Sequence, residues 1–95
     1  MRTLHIEGDM DASAMADMKD LIEEIAQSRE DVRLDMRNVE FIDSSGIGGV
    51  VFLFKRLRMA ARKLEIANLG GQPRKLFMQL NLSFLLSDKI IINQS

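Results

Sequence analysis

The 95 residues carry 13 lysines and arginines against 14 acids, for a net charge of −1, with 46% apolar side chains and no cysteine. A chain of this size fits one domain, residues 1–95, around a single modest core. Without cysteine there is no disulfide framework, thiol nucleophile or thiolate-held zinc, and the lone His5 rules out a multi-histidine metal site within the chain.

Thr3-Leu4-His5-Ile6 alternates polar and apolar as a half-buried strand does, with His5 on the face opposite Leu4 and Ile6. Gly8 to Asp11 is a turn, and Asp11 or Ser13 can cap the helix that follows. Ala14, Met18, Leu21, Ile22 and Ile25 recur at helical spacing and predict a helix over residues 12–28. Val32, Leu34 and Met36 alternate with Arg33 and Asp35 to give a second strand. Asp43-Ser44-Ser45-Gly46 falls where an apolar stretch ends and the next helical pattern begins, with Asp43 or Ser44 as its N-cap. That helix is predicted over residues 44–63, burying Ile47, Val50, Val51, Phe54, Leu57 and Ala61. Leu64 to Ala67 is a third alternating strand, and Gly70-Gly71 a loop. Pro73 suits the first turn of a short helix with Leu76, Phe77 and Leu80 toward the core and Asn81 as its stop. Asp88 to Ile92 closes the chain as a short strand.

Strands alternating with helices imply crossover connections and a mostly parallel sheet. Strands buried on both faces would read as continuous apolar runs, whereas three of these alternate, so helices should cover mainly one face. No repeat, linker or low-complexity segment divides the chain. No apolar run nears the roughly 20 residues needed to span a bilayer, and the N-terminus lacks a signal-peptide pattern. A cytoplasmic protein without direct membrane insertion is expected.

The serine pair carries the most chemistry. A helix start exposes unpaired N–H groups and the positive end of the helix dipole, which together favour a phosphate. Gly46, Gly48 and Gly49 are costly in a helix, at roughly 1 kcal/mol each relative to Ala. Two explanations stand open: tight packing of the helix start onto the sheet, or access for a partner. Gly48, Phe52, Lys55, Arg56 and Met59 share a stripe displaced from the core face, and its Phe and Met rimmed by cations fit a protein-contact patch.

Several chemistries are disfavoured. After Asp43 only Glu65 and Asp88 are acidic, and the bases crowd at Lys55, Arg56, Arg58, Arg62 and Lys63. That cluster reads as a solvated helix end near the negative pole of the dipole. Nucleic-acid binding is not expected, because Trp and Tyr are absent and no Phe interleaves with the bases for stacking. A serine hydrolase needs a general base, and D-S-S-G is not the G-x-S-x-G elbow. No Walker A or G-x-G-x-x-G sequence occurs, and Gly46-Ile47-Gly48-Gly49 is too short and apolar to cradle a phosphate chain. Asp9 and Asp11 read as solvated turn carboxylates. No enzyme activity, cofactor or metal is expected.

The run from Val32 to Gly48, with Asp43-Ser44-Ser45-Gly46 near its end, resembles the STAS family, in particular the bacterial anti-sigma factor antagonists. Gly8-Asp9-Met10-Asp11 resembles the family's G-x-L-D turn, and Pro73 through Leu82 its late helix and turn, so the resemblance covers roughly residues 3–92. It implies an α/β, STAS-like, mixed but mostly parallel four-stranded sheet with helices mainly on one face. The family's N-terminal hairpin strand has no counterpart before Gly8. That leaves an open sheet edge, where homodimerisation is expected.

The resemblance also implies a mechanism. The second serine of D-S-S-G, here Ser45 with Ser44 as runner-up, accepts phosphate from a partner serine kinase. That kinase is of the histidine-kinase-like ATPase type and is often itself the anti-sigma factor. The unphosphorylated form binds the anti-sigma factor, and a serine phosphatase restores it. Asp43 and Gly46 would support the phosphosite, while Gly48, Phe52, Lys55, Arg56 and Met59 would contact the partner. Two alternatives remain: an accessory subunit of a membrane transport ATPase, or a partner switch with a non-transcriptional output.

Overall fold

Alternation in the first two strands becomes a sheet with one dry face and one polar face. The computed structural model describes residues 1–86. Strands β1 (Arg2–Glu7), β2 (Val32–Asn38) and β3 (Leu64–Ala67) lie in the order β1-β2-β3. Both pairings are parallel, with Leu4 beside Leu34 and Leu34 beside Ile66. This row continues the apolar face, onto which α1 (Ala12–Ala26) and α2 (Ser44–Met59) bring Ile25, Val50, Leu53 and Leu57. Helix α3 (Gly71–Gln79) and a 3-10 turn, Ser83–Leu85, complete the same core with Phe77 and Leu85. No polar or charged residue is buried among the described residues.

On the opposite face the side chains pair with one another. Arg33 donates to Glu65 at 3.0 Å, His5 Nδ1 lies 3.1 Å from Asp35 Oδ2, and Asn68 donates to Asp35 at 3.0 Å. The Asn68 amide, followed by the backbone N–H of Arg37, holds the Asp35 carboxyl below the usual carboxylate range.

Several expectations shift. The described sheet has three strands and only parallel pairings, in place of a mixed four-stranded one. The strand expected at residues 88–92 lies outside the described residues, although Leu86 makes a parallel bridge to Ile66. Helix α1 ends at Ala26, not at residue 28, because the Ser28 N–H turns back to the Ile25 carbonyl. Helix α2 stops at Met59 rather than at Lys63. Ala61 takes the left-handed conformation at φ 59°, and the Arg62 N–H reaches the Leu57 carbonyl at 2.7 Å. This is a Schellman closure, most often built with glycine. Ala61 is therefore exposed, and Leu53 fills the core stripe instead. Helix α3 closes the same way: Asn81 has φ 59° and the Leu82 N–H bonds the Phe77 carbonyl at 2.8 Å. Asn81 is thus the expected stop, but Leu80 caps the helix from outside the core and is exposed.

Candidate functional site

Beyond their strands, the β1–α1 and β2–α2 connections run side by side. Met10 and Ile42 form a parallel bridge, in which the Met10 N–H donates to the Phe41 carbonyl at 2.9 Å and the Asp43 N–H to the Met10 carbonyl at 3.2 Å. The next residue on each connection is an aspartate that caps a helix. Asp11 Oδ1 accepts from the Ala14 N–H at 2.9 Å. Asp43 Oδ1 accepts from the N–H groups of Ser45 at 2.8 Å and Gly46 at 3.1 Å. The two caps have nearly the same backbone, φ −105° and ψ −175° at Asp11, φ −111° and ψ −171° at Asp43. Two helix N-termini with their positive dipole ends therefore open beside one another.

Asp43, not Ser44, is the N-cap, and Ser44 and Ser45 form the exposed first residues of α2. The three glycines have separate reasons. A Cβ on Gly46 would collide with the Met10 carbonyl oxygen and the Ile42 side chain, so this glycine lets α2 press onto the adjoining connection. At Gly49 the Met15 methyl occupies the space, whereas nothing lies near Gly48. Packing explains Gly46 and Gly49, and Gly48 alone is open.

Ser45 also sits at one end of a groove of about 430 Å³ between α1 and α2. Ala12, Met15, Ala16 and Ile22 line one side, Gly49 and Phe52 the other, with Lys19 and Glu23 along its α1 wall. Of the stripe expected to contact a partner, Phe52 is 39% and Met59 84% exposed. Lys55 is exposed as well. Arg56 is turned back: it lies 5.4 Å from the centre of the Phe52 ring and 3.3 Å from Glu23 Oε2. Its cation thus ties α2 to α1 and rests on Phe52.

Two neighbours escaped the sequence. Phe41, 43% exposed, adds apolar surface just before the site. Gln72, on the first turn of α3, accepts from the Ile42 N–H and donates to the Ile42 carbonyl, both at 2.9 Å. No sequence signal links Gln72 to Ile42, 30 residues away. Among the described residues no group of three His, Cys, Asp or Glu side chains converges on a metal position, and no helix is long and apolar enough to cross a membrane.

A model of the STAS domain matches residues 1–93. An anti-sigma-B factor antagonist from Listeria monocytogenes is 30% identical over 88 residues, covering 90% of this chain and 76% of its own length. Among solved structures, the Bacillus cell fate determinant SpoIIAA in its phosphorylated form superposes with a TM-score of 0.72 at 19% identity, covering 98% of this chain and 89% of its own. A sulfate transporter family protein from Wolinella succinogenes gives 0.75 at 15% identity, covering 93% and 72%. The two structural likenesses show a common fold.

Proposed function

The chain belongs to the STAS domain family, and from that premise we propose that it is an anti-sigma factor antagonist working by partner switching. The unphosphorylated form binds an anti-sigma factor that is also a serine kinase of the histidine-kinase-like ATPase type. Phosphorylation of Ser45 releases it, and a serine phosphatase resets the cycle in the cytoplasm.

The observation that carries this reading is the exposed Ser45 at the start of α2, its N–H held by Asp43, beside open Gly48 and half-exposed Phe52. The name of the Listeria relative agrees with it. Phosphate would add about −1.5 to −2 charges at a surface shaped for a neutral hydroxyl. The two helix N-termini would ease that charge within the domain, so the switch acts on docking without refolding the chain. Partner contacts fall to Gly48, Phe52, Lys55 and Met59, with Arg56 holding Phe52 in place.

Pull-downs from host lysate with Ser45→Ala and Ser45→Asp test this. Ser45→Ala should retain a kinase-like protein, and Ser45→Asp should lose it by about tenfold or more, the size expected for a charge facing an interface. Equal recovery of that protein by both would reject the switch at Ser45. Equal recovery of a transport ATPase would favour the accessory-subunit alternative. A phosphosite map separates Ser45 from Ser44. Self-association through the side of β1 away from β2 belongs to the same proposal, and a monomer in sedimentation at high concentration would remove it.

A further inference from the structure

The backbone around Ile42 is satisfied from two directions. Its bridge partner Met10 bonds the flanking groups, the Phe41 carbonyl and the Asp43 N–H. The N–H and C=O of Ile42 itself point the other way, where a further strand would ordinarily meet them. The primary amide of Gln72 takes that strand's place, offering one acceptor and one donor at 2.9 Å each. Ile42 is fully buried, so these two groups have no ready exchange with water. Buried backbone groups left unpaired are costly, which makes the Gln72 pair the hold on this peptide.

The hold lies directly upstream of the serine. The Ile42 peptide sets the torsions into Asp43, and the Asp43 carboxylate fixes the N–H groups of Ser45 and Gly46. We infer that Gln72 is a positioning residue for phosphorylation at Ser45: α3, through one side chain, sets the orientation in which α2 presents its acceptor hydroxyl. This inference rests on the partner-switch reading for its kinase, but not for its geometry. Gln72 lies on a different helix from Phe52 and Met59, so its loss should leave docking intact and reduce the fraction of docked molecules with a correctly aimed hydroxyl.

Amide exchange on the labelled chain, read by NMR, is the first test. In Gln72→Leu, exchange at Ser45 and Gly46 should rise about tenfold over wild type, the size expected for two unpaired buried groups. The Leu34 and Ile66 amides in the sheet should be unchanged, which shows that the variant is folded. Gln72→Glu keeps the acceptor for the Ile42 N–H and loses the donor, so it should fall between the two. Gln79→Leu, an exposed change on the same helix, should behave as wild type. Unchanged exchange at Ser45 and Gly46 in Gln72→Leu would overturn the inference, whatever the partner proves to be.

The second test uses the serine kinase captured by wild type. Gln72→Leu should lower kcat about tenfold with KM within about twofold, the pattern of a misaimed acceptor rather than a weakened complex. Phosphorylation of wild type and Gln72→Leu at equal kcat would reject the positioning role and leave the partner switch standing. No phosphorylation of wild type at Ser45 would reject the partner switch, and with it a positioning role in that reaction.

Discussion

A single methyl group separates the glycines of the α2 start. At Gly46 it would meet the Met10 carbonyl and Ile42, so Gly46→Ala should destabilise the fold by about 1–3 kcal/mol as an overpacked contact does. At Gly48 the space is open, and Gly48→Ala should stabilise by about 0.5–1 kcal/mol through helix propensity. Urea unfolding of both variants checks the pair, and the same sign for both would refute the assignment of tight and open positions. Composition alone presents all three glycines as equivalents, because what distinguishes them is Met10 on the β1–α1 connection and Met15 on α1, both distant in sequence. The cap was half legible for a related reason. Asp43 and Ser44 are both good capping types, and only the Met10 bridge decides which of them stands at the boundary. Asp43→Ala should therefore cost about 0.5–2 kcal/mol, with Ser44→Ala near neutral in the same assay.

At the scale of elements, the apolar periodicities located the three strands and three α-helices among the described residues, while the 3-10 turn Ser83–Leu85 gave no such signal and the ends moved. Helix α2 was expected to run to Lys63 because nothing in Arg58 to Lys63 resembles a glycine stop. The left-handed residue there is Ala61, which adopts that conformation at a cost of roughly 1 kcal/mol. Ala61→Gly should relieve it and raise the thermal midpoint by a few degrees, and an unchanged or lower midpoint would show that the strain is not there. In α3 the asparagine stop was legible, since Asn81 is a common left-handed residue, but Leu80 was not. Helical spacing carried it inward, whereas the chain leaves the helix at that residue. Leu53 was missed by the converse error: the core stripe of α2 runs through Val50, Leu53 and Leu57, and Ile47, Val51 and Phe54 flank it half-buried.

Across the whole molecule, the polar face of the sheet responds to pH through Asp35. Its folded carboxyl titrates below the unfolded value, chiefly because Asn68 donates to it. The stability it contributes is present above the unfolded carboxylate range and is lost as pH falls through the depressed folded value. Asp35→Asn should flatten the acid limb of the stability curve, and Asn68→Ala should move the Asp35 titration upward toward the ordinary range. Carboxyl NMR on the folded protein reads the second effect directly, and an unmoved titration would exclude Asn68 as the main cause.

The composite build of the serine site has a consequence for when it exists at all. Its frame comes from Met10 on one connection, Ile42 and Asp43 on a second and Gln72 on α3, and the Ile42–Gln72 contact alone spans 30 residues. A nascent or partly unfolded copy carries the same tetrapeptide on a loose chain, without the frame. An enzyme that reads the framed serine would leave such copies unmarked, so the degree of labelling would count intact molecules and not merely synthesised ones. Incubating the chain at rising urea concentrations with the serine kinase proposed above as its partner, and scaling the rate to a denaturant-insensitive peptide substrate, should give a labelling curve that falls together with the unfolding transition.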